Sequence, residues 1–418
     1  MASQTFRSLR ERNAKLFFLG LAVSNIGTWV QTTASAALVY RITGRATAVG
    51  LTIATQFVPM LLLGAWAGAV ADRTNRRRMT LLTQALLAAQ ALVLGVLDLT
   101  GHIGLPGIYV LSAILGVVSA IDNPSRRGFV TELIDAEDIS NAMALNTAVM
   151  TGSRIFGPAL AAVLTAAVGT GWCFIINAAS FGAILGALFG IDTSKLRPVI
   201  RSAPGGQPVR EALRFVRSSR RLLIVFGVLT IVSTFAFNYS VSFLRLADKR
   251  FGNPSLFGWL LAVSSIGSLT GSLLVAGRQR VTIREMLWSC ALMGTSGLVV
   301  AWAPHVGVAF VATIPLGIGG AGLLSISNAI VQVESPPEMR SRLLALVAVA
   351  FLGSTPIGSP ITGWIADHIS AEWSLAYGST SALLCFAIAG LLLTRASRNQ
   401  PRQPPQLQPR QQDHESTR

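Results

Sequence analysis

The sequence predicts an all-α polytopic membrane protein built from two six-helix repeats. Three observations predict it. First, of 418 residues 51% are hydrophobic and only 12% are charged, about half the charge that covers a typical soluble domain. Second, the apolar residues gather into twelve stretches, at about 14–40, 48–71, 79–99, 107–122, 142–166, 171–190, 221–245, 255–277, 284–303, 306–333, 341–366 and 373–394. Most approach the roughly 20 residues that cross a bilayer core. Third, 28 of the 34 Lys and Arg residues fall on one side of that arrangement. Five (Arg41, Arg45, Arg245, Lys249 and Arg250) fall on the other, and Arg154 lies within a span. That asymmetry is the positive-inside bias, and it puts both termini in the cytoplasm. The net charge of +16 therefore reports membrane topology and argues against nucleic acid as a partner. The expected location is the cell membrane of a bacterium.

The elements follow in chain order. Span 1 is too long for a cleavable signal peptide and is followed by further spans. It carries Asn25, Trp29 and Gln31. Span 2 ends in Gly64-Ala-Trp-Ala-Gly68-Ala-Val-Ala-Asp72-Arg73, and Arg76-Arg77-Arg78 follow. Small residues four apart bring one helix face within close reach of a neighbour. A boundary carboxylate and a burst of arginines then mark the inner surface. Together they suggest a moving part of a transporter. Span 4 is short, and Asp122 falls at its end. Span 5 carries Asn146, Gly152, Arg154, Gly157 and Pro158, and span 7 carries Asn238 and Tyr239. Span 10, with Asn328 and Gln332, is expected to be irregular. Span 11 holds Gly358, Pro360 and Gly363. Cys173, Cys290 and Cys385 lie inside spans as small buried hydrophobes, with no disulfide or metal spacing.

The halves look duplicated. A shift of 203 places Gly64 and Gly68 on Gly267 and Gly271, and a shift of 202 places Glu132 on Glu334 and Pro158 on Pro360. The expected organisation is a six-helix bundle over 1–190, a cytoplasmic linker over 191–220, a second bundle over 221–395 and a disordered cytoplasmic tail over 396–418. In the linker, Val209, Ala212, Leu213 and Val216 share one helical face. That is an amphipathic helix suited to the inner leaflet.

Residues 68–78 resemble the loop 2–3 signature of the major facilitator superfamily. Phe6-Arg-Ser-Leu-Arg10 with Asn13, Asn25-Ile-Gly-Thr-Trp-Val-Gln31, Asp122-Asn-Pro-Ser-Arg-Arg127 and Ala142-Met-Ala-Leu-Asn146 are similar to its enterobactin-exporter and macrolide-efflux branch. Gly157-Pro158 is similar to an element associated with antiporters. The resemblance reaches to about residue 395. It implies two parallel six-helix repeats around a central cavity and proton-driven efflux of a small amphipathic molecule by alternating access. It also implies a conformational latch. Asp72 would pair with Arg126 or Arg127 and face the N-terminus of span 11, where helix-dipole charge is positive. Gly64, Gly68, Arg73, Arg76, Arg77 and Asp122 complete that region. The chain departs from the pattern in four places. Val275 stands where the second half would repeat Asp72, and Gly277-Arg-Gln-Arg280 keeps only some basic character. Ala159-Leu-Ala161 follows the Gly-Pro element instead of a glycine pair. Phe243-Leu-Arg245 ends span 7 where relatives often carry proline, which points to a distinct outer vestibule.

Arg154 is a lone charge deep in a span, so it should face protein or water. It reads either as a cavity residue meeting an anionic or hydrogen-bonding substrate or as one half of a structural pair. Asn25, Trp29, Gln31, Asn146, Asn238, Tyr239 and Asn328 are cavity candidates, with interhelical hydrogen bonding as their plain alternative. Gly152, Gly157, Pro158, Gly358, Pro360 and Gly363 serve helix packing or gating. No carboxylate lies at mid-span. Asp72, Asp122, Glu132, Glu334 and Asp367 all sit near ends, and Asp122 is the favoured proton carrier, with a salt bridge to Arg126 or Arg127 as its plain role. The lysines occur in Ala-Lys15-Leu, Ser-Lys195-Leu and Asp-Lys249-Arg, so no phosphate-binding Gly-Lys-Ser/Thr loop exists. No cofactor or metal is expected, and the chain is expected to act as a monomer. Import of a metabolite or sugar and an integral-membrane enzyme are the competing readings. Against an enzyme, His102, His305, His368 and His414 stand singly.

Overall fold

The computed structural model describes residues 7–197, 208–278, 280–336 and 339–398. The Asp72 side chain is among a few helical side chains outside that description, as are linker residues 198–207 and the tail from 399. Within the described residues the chain is helical throughout, with no strand.

The first four long helices are α1 (Arg12–Thr43), α2 (Ala46–Arg73), α3 (Arg76–Leu99) and α4 (Leu105–Val130). α1 stops at Gly44, whose positive φ of 63° lets its N–H close on the Tyr40 carbonyl. α3 starts where the Asn75 side chain accepts the Arg78 N–H. α5 (Ile139–Gly190) is divided into two limbs at Gly169, whose φ of 84° only glycine adopts readily. The second half comprises α7 (Arg220–Phe235), α8 (Tyr239–Arg245), α9 (Leu256–Ala276), α10 (Ile283–Ala301), α11 (Val306–Glu334), α12 (Arg340–Leu352), α13 (Thr355–His368) and α14 (Ala371–Arg398). α10 opens with a capping box between Thr282 and Glu285. Among the described residues, nine segments are both long and apolar enough to cross a membrane. Their outward faces carry large apolar side chains, including Leu62, Phe189 and Val311, as lipid contact requires.

Three expectations need correction. Span 4 is not short: α4 continues eight residues past Asp122, to Val130. Its polar run stays helical because those groups find partners inside the bundle, so Asp122 is buried rather than terminal. Span 10 is not irregular, since α11 runs unbroken through Pro315. The irregular spans are 7 and 11. Span 7 parts between α7 and α8, and span 11 between α12 and α13. Asn238 repairs the first break. Its Nδ2 donates to the Thr234 carbonyl at 2.7 Å and its Oδ1 accepts from Ser359 at 2.8 Å, satisfying backbone that would otherwise be orphaned in a dry interior.

The linker helix α6 (Pro208–Ser218) forms. Its Ala212 and Val216 face is buried against protein, while Leu213 stays exposed. Glu211 pairs with Arg342 at the start of α12 at 2.8 Å. The apolar face therefore belongs as much to the second bundle as to a lipid surface.

The helices of the first 190 residues surround a cluster that includes Phe17, Phe18 and Phe129, in edge-to-face pairs at 5.7 Å. α2 crosses to the second half and packs along α13, and α9 packs against α5.

Candidate functional site

Three places on this scaffold matter: a buried centre, and the two ends of the α2–α13 seam.

At the centre, α5 carries Arg154. Its guanidinium lies over the Phe351 ring of α12 at 4.5 Å and the Trp29 ring of α1 at 5.5 Å. Such cation–π contacts contribute about 0.5–2 kcal/mol each. Among the described residues Arg154 makes no hydrogen bond and no ion pair. Phe237, in the α7–α8 break, meets Phe351 edge-on at 5.0 Å and Tyr239 at 5.9 Å. Tyr239 stacks on Phe243 at 5.3 Å. The Tyr239 hydroxyl is buried, with no hydrogen-bond partner among the described residues. An orphaned polar group of this kind costs about 1–3 kcal/mol. One turn beyond Arg154, Gly157 lets the Trp29 side chain lie directly on the α5 backbone, where a Cβ would overlap it. Pro158 follows within the same helix. Sequence reasoning named Trp29, Arg154 and Tyr239 but missed Phe237, Phe243 and Phe351. The run of aromatics at 235, 237 and 239 around Asn238 was the available signal.

The other polar candidates divide. Gln31 lies within the first half, where it donates to Gln90 at 3.0 Å and accepts from Asn177 at 2.7 Å. Asn25 is buried, donating to Met150 Sδ and accepting from Arg126 at 3.4 Å. Asn146 is buried and Gln332 exposed. Asn328 donates to the Leu324 carbonyl of its own helix.

Asp122 is only 3% exposed. It accepts from Thr83 at 2.7 Å and Gln84 at 2.8 Å, and pairs with Arg126 Nε at 3.3 Å. Arg126 is thus engaged with Asp122, while Arg127 is exposed. Arg76 donates to the Gly128 carbonyl at 3.1 Å and pairs with Glu132. Arg77 clasps the Leu188 carbonyl with two N–H groups at 2.7 and 3.1 Å. These arginines tie the start of α3 to the last turns of α4 and α5, where cations suit the helix dipoles. Arg73 is exposed.

The two ends of the α2–α13 seam differ. At the end away from Asp72, Asp367 of α13 caps the N-terminus of α2. It accepts the Ala46 N–H at 2.9 Å, the Thr47 N–H at 2.8 Å and the Thr47 hydroxyl at 2.7 Å. Arg245 of α8 pairs with Asp367 at 3.5 Å. It also donates to Tyr40 at 3.0 Å and to the Gly44 carbonyl at 3.1 Å. Tyr40 donates in turn to Asp248. Glycines close the same end. A Cβ at Gly50 would overlap the Ser359 carbonyl beside Pro360, and one at Gly363 would overlap the Ala46 carbonyl. Arg245 therefore belongs to a clamp between the halves rather than to an open vestibule. Sequence reasoning missed this clamp, since its members lie in four separate helix ends.

At the other end, nothing among the described residues lies within 4 Å of where a Cβ at Gly64 or Gly68 would sit, and the same holds at Gly152 of α5. The small-residue stripe faces open space in this conformation.

A helical bundle whose halves clamp at one end and part at the other, over a buried centre supplied by both, defines a major facilitator transporter. The chain belongs to the transmembrane secretion effector family, which matches residues 3–414. The multidrug efflux pump Tap of Mycolicibacterium fortuitum is 25% identical over 353 residues, covering 80% of this chain and 84% of that protein. The staphyloferrin A transporter of Staphylococcus aureus (strain NCTC 8325 / PS 47) is 22% identical over 361 residues, covering 84% and 87%. A solved bacterial homologue of the human lysosomal transporter Spinster, inward-facing and unoccupied, matches with a TM-score of 0.68 over 93% of this chain and 97% of that one. At 15% identity that likeness is one of fold alone. The chain is a multi-pass bacterial membrane transporter for a small molecule, and not an enzyme.

Proposed function

We propose that the chain is a proton-driven exporter of a small amphipathic molecule, working by alternating access between two six-helix halves. One observation carries this reading: the α2–α13 seam is clamped at the Asp367 end and parted at the Gly64–Gly68 end. The positive-inside bias sets the parted end in the cytoplasm with both termini, so this is a state that loads from inside. Efflux and siderophore transport among the relatives support the direction and the substrate size.

Twelve passes account for the helices. Nine segments are long and apolar. One of them is divided at Gly169, and α1 and α10 are long enough to cross though less apolar. The halves are residues 1–190 and 221–395, joined by 191–220, with 396–418 as a cytoplasmic tail. The working unit is a monomer in the inner membrane. Asp72 latches the inner end in the outward-open state, and Asp122, buried beside Arg126, carries the proton.

The test uses inverted membrane vesicles energised with a proton gradient that a dye reports. Macrolides, siderophores and aromatic acids are added singly. Collapse of the gradient by one class in wild type, absent in Asp72→Asn at equal expression, supports proton-coupled export. Accumulation of a labelled substrate with no effect on the gradient would remove the proton and keep the carrier.

A further inference from the structure

We propose that the buried centre is a binding site for an organic anion, a carboxylate carried on a flat apolar or aromatic body. This rests on the transporter reading and names the substrate class of that site. Arg154 is a fixed cation deep in an apolar span. A charge there needs compensation. Among the described residues no carboxylate supplies it, and its contacts are the π faces of Trp29 and Phe351. Beside it the Tyr239 hydroxyl is buried and unpartnered. One cation and one O–H, both donors, lie among aromatic rings from both halves, Trp29 from the first and Phe237 and Phe351 from the second.

An anion satisfies every element of that arrangement. A carboxylate accepts two N–H bonds from the guanidinium in the planar fork arginine favours, and an O–H bond from Tyr239. Its apolar body then lies against Trp29, Phe237 and Phe351. A cationic drug would meet like charge at the same place, with no acid paired to Arg154 among the described residues to offset it. Asp122 cannot serve, because Arg126, Thr83 and Gln84 already occupy it. The site draws on α1, α5, α8 and α12, so its walls come from both sides of the seam that parts.

The experiment measures binding by the purified full chain in lipid nanodiscs, using matched probes. 2-Naphthoate is titrated beside 2-naphthamide and 2-naphthylmethylammonium. Benzoate and pyrene-1-carboxylate, each with its amide and its methylammonium analogue, vary the ring size. In at least one size the acid is expected to bind tenfold or more tightly than the amide and the ammonium. Arg154→Gln should erase that preference, and Arg154→Lys should keep a reduced one. Tyr239→Phe should weaken the acid several-fold and leave the amide unchanged. The conservative Arg154→Lys and Tyr239→Phe variants keep the test decisive where Arg154→Gln does not fold. Equal binding within every trio, preference for the ammonium, an undiminished preference in Arg154→Gln, or no binding at any size would overturn the assignment. Binding is read without flux, so failed export leaves the anion site standing. Export of a non-anionic substrate in vesicles would stand without it.

Discussion

Asp122, buried, and Arg154, half-buried, are both charges in apolar helices, and the protein treats them oppositely. Asp122 has three partners, from α3 and its own helix. Arg154 has rings and no acid. Asp122→Asn leaves Arg126 buried without its counter-charge, a loss of about 3–5 kcal/mol when one partner of such a pair is removed. The expected outcome is a lower midpoint of thermal unfolding together with loss of gradient collapse on substrate addition. A variant that still couples flux to protons removes the carrier role. Arg154 was legible in the sequence as the lone charge in a span. The depth of Asp122 was not, because Asp-Asn-Pro-Ser-Arg-Arg reads as the end of an apolar stretch. Only the facing Thr83, Gln84 and Asn25 explain why the helix continues through it.

At the scale of elements, the broken helices of the second half stand out. α7 parts from α8 and α12 from α13, and both breaks border the aromatic centre. Gly358 permits the two broken spans to touch, since a Cβ there would overlap the Thr234 carbonyl oxygen. Gly358→Ala forces backbone apart at that crossing. Overpacking of this kind costs about 1–3 kcal/mol. A fall in the unfolding midpoint is expected, read by tryptophan fluorescence in detergent. Gly64→Ala is the contrasting case. That position is open in this conformation, so the inward-facing state should keep its stability while transport slows, because the stripe must close on a neighbour later in the cycle. Equal stability loss in both variants would show that the seam does not open. The all-helical class was readable from the long apolar stretches, and the linker helix from its one-faced apolar periodicity. The breaks were not, since Ala236-Phe-Asn238 and Gly353-Ser354 are no more polar than many stretches that stay helical. Local hydrogen bonds from the Asn238 and Ser354 side chains to the Thr234 and Phe351 carbonyls satisfy the backbone there.

For the whole molecule, α2 and α13 run antiparallel along the seam, and each ends in an acid. Asp367 at the end of α13 caps the N-terminus of α2. By the family resemblance, Asp72 at the end of α2 serves the N-terminus of the span that contains α13. One helix pair then carries a latch at each end, and closing one requires opening the other. A conformational coupling of about 1–3 kcal/mol corresponds to roughly a 5–150-fold change in population. Asp72→Asn should therefore favour the inward-open state and cut flux at unchanged expression, and normal flux would remove the latch. The inner latch proposed at Asp72 rests on a local motif in the sequence. The outer clamp was not, because Tyr40, Arg245, Asp248 and Asp367 are far apart in the chain and carry no spacing signal.

The most direct measurement is a pair of distances by pulsed electron resonance, needing no knowledge of the substrate. Spin labels at Arg73 and Arg340, both exposed, report the parted end, and labels at Arg45 and Ile369 report the clamped end. The protein is compared with its Asp367→Asn variant in lipid nanodiscs. Reciprocal gating is expected to lengthen the Arg45–Ile369 distance and shorten the Arg73–Arg340 distance together, in a shared fraction of molecules. A far-end distance that lengthens while the other stays fixed, or no change at either end, would contradict it.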